Sequence, residues 1–375
     1  MSLEIAGMGW VTPLGTGIDS VWERLLRGDE ASATTISEKF ADRVYSVFRV
    51  PEAALKGISH PRLRRASAIS RFAAAAGLQA LESAGLKPDS ENAERIALIF
   101  AISNGGVTYT KRFYHEIVGT GAQAASPLLF PETVFNAPAS HLAAILGVTG
   151  ATYTLVGDGA VGLAAVTMAE ELMANAAQDY CLVVGTEEID WLLCDAYRRW
   201  RLLRMAAPIE PFSGQNRGMI LSEGAGAIVL GRDGFLTIEH AHPGAYFARR
   251  AEAEKILKGI LCDLGQLEID FVISSANGTF VDQAESQALQ KVVPNALVYT
   301  GKPALGESVG SAGLWQIILA AQVLRSKEIP PVLHADESVR VRLALSRTPV
   351  PSARRAIVLS CGLNQQTAGL RLVIQ

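Results

Sequence analysis

The sequence predicts a layered α/β fold in which buried sheets alternate with helices. Short apolar runs typical of strands alternate with longer stretches whose apolar residues recur at helical spacing. The chain has 375 residues, 49% of them hydrophobic, so it is long enough to bury a large core. Alternation of this kind is typical of sheets covered by helices.

Seven apolar runs are predicted to be strands buried on both faces. They are residues 95–102, 151–158, 179–188, 225–231, 271–277, 296–302 and 355–362. Four segments are predicted to be helices, at residues 70–86, 137–147, 159–176 and 310–329. Gly85 and Gly147 each follow the last turn of a predicted helix, a position that favours glycine.

The turn-rich segment "GRDGF" (Gly231–Phe235) is the most natural break between two halves of the chain. Residues 27–60 and 106–135 are predicted to be irregular insertions. Long insertions of this kind are often functional or interfacial.

Composition excludes several classes of protein. The net charge of −3 favours neither nucleic acid nor an anionic membrane as a partner. No signal-like start and no bilayer-length apolar run is visible, so we expect a cytoplasmic protein without membrane contact. Because the cysteines lack CxxC spacing, we expect buried reduced thiols and no metal site. The four cysteines are Cys181, Cys194, Cys262 and Cys361.

The stretch "TYTLVGDGAVGLAAVTMAEELM" (Thr152–Met173) predicts a strand, a tight glycine elbow and an apolar helix. Such a turn lifts one side chain over the N-terminus of a buried helix, which is how many folds present a nucleophile. Gly159, at the elbow, has no side chain to present. Asp158 beside it could replace the nucleophile or cap the helix, and we expect the cap.

Six segments follow one another along nearly the whole chain: "GMGWVTPLGTGIDSVWERLLRGDE", "SPLLFPETVFNAPASHLAAILGVTGATYTLVGDGAVGLAA", "PFSGQNRGMILSEGAGAIVLG", "SSANGTFVDQAESQAL", "TGKPALGESVGSAGLWQIILAA" and "LSCGLNQQTAG". In this order they resemble the β-ketoacyl synthases of fatty acid and polyketide synthesis. The resemblance implies the thiolase fold, two similar α/β halves forming a five-layer αβαβα sandwich. The halves are expected at residues 1–232 and 233–375.

Condensation in that family needs an acylated thiol at a helix N-terminus and two neutral imidazoles that polarise the malonyl thioester. Matched position by position, the thiol falls on Gly159, and the imidazoles fall on Asn277 in "ANGT" and Glu307 in "LGES". A glycine cannot be acylated, and an anionic Glu307 would repel the malonyl carboxylate. The resemblance therefore implies a member of the family without its chemistry.

Other positions of the family's site are retained or altered. Lys302 is retained, and with Glu285 it is expected to form a buried ion pair beneath the site. The family's gate loop "GFGGTN" has become "GLNQQT", which loses the gating phenylalanine. The candidate site residues of the gate loop are Cys361, Gly362, Leu363 and Asn364.

A fold that keeps its elbow but loses every reactive group is most simply a scaffold. The chain resembles the chain length factor, a subunit that pairs with an active ketosynthase and meets its carrier protein through the complex, with no cofactor. The resemblance implies pairing through the elbow strand "ATYTLV" and a partner tunnel that runs to this interface. By position, Asn104 and Leu129 match tunnel-end residues, with Phe135 and Thr154 as further tunnel or interface positions. Ordinary interface packing for Leu129 and a turn role for Asn104 remain alternatives.

Three rival functions stay open. A decarboxylating initiation subunit is disfavoured because that class keeps both histidines. An acyltransferase or hydrolase could use relocated groups at Asp158, Ser308 or Cys361. A homodimeric regulatory pseudoenzyme is the third. The arginine runs 62–65 and 198–204 fit either solvated surface or a docking face for an acidic carrier protein or partner subunit.

Overall fold

A computed structural model describes residues 3–39, 41–56, 58–64, 66–174, 177–215, 217–335 and 339–374. Within these ranges the strands are β1 (Leu3–Thr12), β2 (Gly15–Thr16), β3 (Ala33–Ile36), β4 (Tyr45–Phe48), β5 (Ile96–Ile102), β6 (Thr152–Val156), β7 (Tyr180–Glu187), β8 (Leu221–Ser222), β9 (Gly224–Gly231), β10 (Leu236–Tyr246), β11 (Phe271–Ile273), β12 (Leu297–Tyr299), β13 (Glu328–Ile329), β14 (Thr348–Pro349), β15 (Arg355–Cys361) and β16 (Gln366–Val373). The helices are α1 (Ile18–Leu26), α2 (Ala68–Ser83), α3 (Val107–Thr120), α4 (Ala137–Leu146), α5 (Val161–Ala174), α6 (Trp191–Arg199), α7 (Ala253–Leu264), α8 (Phe280–Val292), α9 (Lys302–Leu305) and α10 (Val309–Ser326).

The strands form two five-stranded arrays with the same topology. In the first array the order is β1-β9-β7-β5-β6, with β5 parallel to both β6 and β7 and the other pairs antiparallel. In the second array β10-β16-β15-β11-β12 repeats this order and the same pattern of strand directions. Antiparallel pairing of β1 with β10 joins the two arrays.

The helices complete a five-layer arrangement. Helices α2 and α4 cover the outer face of the first array, and α7, with α8 packed against it, covers the outer face of the second. Helices α5 and α10 lie between the arrays and contact strands of both. The expected thiolase-like sandwich of two similar halves is therefore confirmed.

Several local expectations differ from the structure. Strand β6 is not buried on both faces, because it lies at the edge of its array and exposes Tyr153 and Val156. The segment 106–135, expected to be irregular, contains α3, and the segment 27–60 contains the β3–β4 pair. The predicted helix 159–176 is described only to Ala174.

The expectations for Gly85 and Gly147 hold. Gly85 and Gly147 both have positive φ angles (63° and 74°) at the ends of α2 and α4, a conformation that glycine adopts without strain. The four cysteines are free thiols, but Cys262 is exposed rather than buried. Arg65 of the first arginine run lies outside the described residues. In the described part of the chain, no helix is both long and apolar enough to cross a membrane.

Candidate functional site

The elbow consists of residues 157–160, between the end of β6 and the start of α5. Gly159 is buried there. A Cβ atom built on Gly159 would meet only Gly362 Cα at 3.4 Å and the Cys361 carbonyl oxygen at 3.9 Å, both ordinary van der Waals contacts. The backbone therefore does not require glycine at this position, and the elbow has room for the first atom of a side chain.

Asn277 and Lys302 both bond Glu307, and the three residues form one buried cluster. The Asn277 Nδ2 donates to Glu307 Oε2 at 2.7 Å, and the Lys302 Nζ donates to Glu307 Oε1 at 2.7 Å. The three residues are at most 5% exposed. Both Glu307 oxygens are thus engaged by an amide and an ammonium, as a buried carboxylate requires.

The prediction of an ion pair between Lys302 and Glu285 is wrong, since Lys302 pairs with Glu307. Glu285 instead accepts hydrogen bonds from Ser274 and from the backbone N–H and side chain of Ser275. Lys302 begins the short helix α9, and the chain turns at Gly306, whose N–H donates to the Lys302 carbonyl oxygen at 2.8 Å. This turn brings Glu307 back onto Lys302, so the nearby carboxylate takes the ion pair.

Glu285 has different bonded partners from Glu307. Burial raises the pKa of Glu285 to about 7, and its hydrogen bonds from the two serines act in the opposite direction. Among the described residues, its bonded partners are uncharged donors. The protein therefore holds this group with neutral donors.

Asp158 does not act as a helix cap. Its Oδ1 accepts from the Gly159 N–H at 2.7 Å and the Leu363 N–H at 3.1 Å, and its Oδ2 accepts from the Asn364 N–H at 2.5 Å. Burial raises the pKa of Asp158, and the charge of Glu307 acts in the same direction. The carboxylate thus faces the gate loop (residues 361–366) instead of the first turn of α5.

The gate loop lies against the elbow. Leu363 is buried, Asn364 is exposed, and the Gly362 N–H donates to the Gln366 carbonyl oxygen at 2.7 Å. Burial raises the pKa of the Cys361 thiol well above its usual range, and the nearby carboxyl groups of Glu285 and Asp158 raise it further. A thiol in this state is a poor nucleophile, because the thiolate is the reactive form.

A cleft of about 610 Å³ opens above the elbow and the gate loop. Its volume lies within the range of small-molecule sites. Its lining combines amides, aromatic rings and a single guanidinium. The lining residues are Ser103, Asn104, Gly157, Asp158, Tyr197, Trp200, Leu202, Tyr246, Arg250, Leu363, Asn364, Gln365 and Gln366.

Histidines lie away from this cleft in the described part of the chain. His141 bonds Glu132 Oε1 at 2.6 Å. His240 and His334 bond Asp263 and Glu30, respectively. Among the described residues, no group of three or more His, Cys, Asp or Glu side chains could hold a metal ion.

Glu187 is a site residue that the sequence reasoning missed. It is 3% exposed at the end of β7, where one oxygen accepts from the backbone and side-chain nitrogens of Asn104 at 3.3 Å each. The other oxygen is buried without a partner among the described residues. Burial raises the pKa of Glu187 to about 8. A glutamate at the end of an otherwise apolar strand is the signal that could have identified it.

The four proposed tunnel or interface residues lie in different surroundings. Asn104 lines the cleft and bonds Glu187, whereas Leu129 is buried next to the short helix at 130–133. Phe135 packs over the backbone of Gly105, where an added Cβ would lie 2.6 Å from its ring. Thr154 lies in β6, paired in register with Phe100.

An exposed apolar surface surrounds β6, which we call the edge face. Helix α3 and residues 130–133 are in contact, and α4 contacts both residues 130–133 and β6. The rings of Phe113 and Phe130 lie 5.8 Å apart. The apolar side chains that this face exposes are Tyr114, Val118, Leu128, Phe130, Val134, Phe135, Tyr153 and Val156.

Family models identify the chain. The N-terminal domain model of the β-ketoacyl synthases matches residues 2–234, and the C-terminal domain model matches residues 233–336. The chain therefore belongs to the β-ketoacyl synthase family.

Individual relatives are distant but extend over most of the chain. Nodulation protein E of Rhizobium leguminosarum bv. trifolii is 25% identical over 361 residues, covering 89% of this chain and 88% of the relative. The 3-oxoacyl-[acyl-carrier-protein] synthase 2 of Vibrio harveyi is 25% identical over 378 residues, with coverage of 89% and 88%.

Solved structures share the fold. The ishigamide ketosynthase/chain length factor has a TM-score of 0.87 at 21% identity, covering 100% of this chain and 99% of the other. A type II PKS acyl-carrier protein in complex with its ketosynthase, bound to the hexaketide, gives a TM-score of 0.83 at 16% identity with the same coverage.

The buried carboxyl of Glu187 predicts a pH-dependent stability. Its pKa of about 8 lies above the ordinary value of 4.5, so between these pH values the folded chain holds a proton that the unfolded chain releases. The free energy of unfolding should therefore fall with rising pH in this window, by up to about 1.4 kcal/mol per pH unit for this group. Glu187→Gln should remove that part of the slope.

Denaturant unfolding at pH 5.5, 6.5 and 7.5 measures this slope. Glu171→Gln, on the exposed side of α5, is the matched control and should keep the slope of the unmodified chain. Glu285, with a pKa raised to about 7, contributes equally to all three proteins. Parallel pH dependences for Glu187→Gln and the unmodified chain would contradict the assignment.

Proposed function

We propose that this chain is a non-catalytic cytoplasmic subunit, similar in role to a chain length factor. It pairs with an active β-ketoacyl synthase and shapes the acyl tunnel of that partner in a type II polyketide or fatty-acid-like pathway. The observation that carries the proposal is the occupancy of the three reactive positions by Gly159, Asn277 and Glu307. Glu307 accepts from both Asn277 and Lys302, so these groups neither activate nor polarise a substrate.

Relocated chemistry finds little support in the groups near the elbow. The Cys361 thiol has a raised pKa, and Ser308 is fully buried with its hydroxyl 2.7 Å from the Ser311 hydroxyl. The Asp158 carboxylate already accepts three backbone hydrogen bonds. No histidine is among the described residues that line the cleft, so a general base of the usual kind is not placed there.

The edge face supports a partner subunit. Strand β6 carries unpaired backbone groups at the edge of its array, and Tyr153 and Val156 are 43% and 52% exposed. Exposed apolar patches around an open edge strand mark interaction surfaces. Strand-to-strand pairing of β6 with the equivalent strand of a ketosynthase would cover both the backbone groups and the apolar side chains.

The cleft mouth supports contact with an acyl carrier protein through the complex. Arg250 lines the cleft beside Trp200 and Tyr246, which are 56% and 71% exposed. A guanidinium flanked by exposed aromatic rings suits an anionic group on a partner. In one structural neighbour, an acyl-carrier protein is in complex with its ketosynthase.

The residues that would limit the length of the acyl chain lie close to the edge face. Leu129 lies between the exposed Leu128 and Phe130, and Phe135 packs next to Asn104 over Gly105. Side chains here would touch a partner subunit docked on β6. Their volume, rather than any chemical group, would then limit how far an acyl chain extends.

The isolated chain should neither accept an acyl group from a carrier protein nor decarboxylate a malonyl thioester. The physical reason is the absence of a nucleophile at Gly159 and of imidazoles at Asn277 and Glu307. Intact-protein mass spectrometry and detection of released CO₂ measure the two activities. An acyl adduct on this chain would contradict the proposal.

Gly159→Cys is the control for this prediction. The substitution should fold, because a Cβ atom fits at the elbow. It should still give no condensation product with malonyl-loaded carrier protein, since the carbonyl-polarising groups remain absent. Condensation by this single variant would show that the cluster around Glu307 can support the reaction.

Pairing through the edge face predicts a stable complex with a co-encoded ketosynthase that keeps its cysteine and both histidines. Its buried area should exceed about 2,000 Å², as in permanent complexes. Tyr153→Lys and Val156→Lys should each reduce the yield of the complex at least tenfold on co-expression, because a lysine would be buried against apolar surface.

Leu267→Lys is the matched control, since Leu267 is also 43% exposed but lies in the C-terminal half. It should leave the yield of the complex unchanged. Size-exclusion chromatography with light scattering gives the measurement. A soluble monomer of the unmodified chain that ignores the ketosynthase would refute the pairing, as would equal yields for the edge-face and control variants.

A further inference from the structure

The Asp158 carboxylate joins the elbow to the gate loop. Its Oδ1 accepts from the N–H groups of Gly159 and Leu363, and its Oδ2 accepts from the N–H of Asn364, at distances between 2.5 and 3.1 Å. Two of these three donors belong to the gate loop. One side chain of the elbow therefore engages two successive backbone donors of the opposite segment.

Gln366 makes the reciprocal connection. Its side-chain Oε1 accepts from the Asp158 N–H at 3.0 Å, and its carbonyl oxygen accepts from the Gly362 N–H at 2.7 Å. The Ser360 hydroxyl also donates to the Gly159 carbonyl oxygen at 2.9 Å. The two segments thus bond each other in both directions, through side chains that each reach the other backbone.

The spacing between the segments fits this contact closely. A Cβ atom on Gly362 would lie 2.0 Å from Asp158 Oδ2, so glycine is required where the gate loop passes the carboxylate. A Cβ atom on Gly159, by contrast, would have ordinary contacts at 3.4 Å and beyond. The gate loop therefore approaches Asp158 so closely that it needs glycine at position 362. Its path does not depend on the absence of a side chain at position 159.

We propose that Asp158 is a specificity-determining residue that keeps acyl groups away from the elbow. Its carboxylate accepts from three backbone N–H groups beside the cleft, which Asp158, Leu363 and Asn364 line, and it holds the gate loop against the elbow. A thioester carbonyl oxygen that enters the cleft would have to displace a charged acceptor from these donors, and hydrogen bonds to charged groups are stronger than those to neutral ones. The Asp158 side chain therefore closes the elbow, which also lacks a thiol at Gly159.

This inference goes beyond the proposed subunit function and does not rest on it, because the contact lies within a single chain. The first experiment is amide hydrogen exchange on the full chain, with Asp158→Ala and Asp158→Asn as test variants. Glu171→Gln is the control, since it removes an exposed carboxylate from the same strand–elbow–helix segment. Thermal unfolding of each variant establishes that it is folded.

Asp158→Ala should raise the exchange rates of the Leu363 and Asn364 amides at least about tenfold, because both lose their acceptor. Formate at high concentration should lower these rates again by occupying the vacated donors, whereas equimolar chloride should not. Asp158→Asn retains one acceptor oxygen, so at least one of the two amides should exchange faster even if the alanine variant fails to fold. Exchange rates that match those of Glu171→Gln would overturn the proposal.

A thiol reporter tests exclusion directly. Gly159→Cys and the double variant Gly159→Cys/Asp158→Ala are treated with iodoacetamide, and peptide mass spectrometry separates position 159 from the exposed Cys262. The double variant should be alkylated at least about tenfold faster at position 159. Removing the adjacent carboxylate both opens the loop and favours the thiolate. Equal rates would show that Asp158 does not close the elbow.

Discussion

Helices α5 and α10 cross between the two sheet arrays, where Gly162 and Gly313 let their backbones approach. A Cβ atom on Gly162 would lie 3.2 Å from Gly313 Cα, and α10 is buried from Val309 to Leu324. This contact fixes the start of α5, and with it the elbow, against the segment that carries Lys302 and Glu307. The two β-arrays, the elbow and the buried polar cluster all depend on this close packing in the middle layer.

Around this helix contact the chain keeps polar groups in its interior, where they bond one another. Glu307 is engaged by Lys302 and Asn277, Glu285 by two serines, and Asp158 by backbone N–H groups. A site built for condensation needs groups that remain free to bind a developing negative charge. Here Asn277, Lys302 and the N–H groups around Asp158 are already engaged, which supports the proposal that this chain acts through shape.

The sequence predicted the fold class and the central helices, because apolar periodicity and ordered motifs carry that information. It did not predict the partner of Lys302, since the choice between Glu285 and Glu307 depends on the turn at Gly306. The contacts of Asp158 join residues more than two hundred positions apart, and the raised pKa of Glu187 comes from burial. Helix α3 was missed although Tyr114, Ile117 and Val118 recur at helical spacing, and none of its residues is buried in the core of this chain.

The claim that this subunit sets product length through side-chain volume is tested most directly by the products of the reconstituted pair. Ketosynthase and carrier protein are held constant while Leu129 and Asn104 are varied, and product lengths are read by mass spectrometry. Leu129→Trp should shorten the product and Leu129→Ala should lengthen it or broaden its distribution, while Asn104→Leu should shift the length limit and leave the first condensation nearly unchanged. An unchanged length profile in all three variants, at normal yield of the complex, would contradict the account.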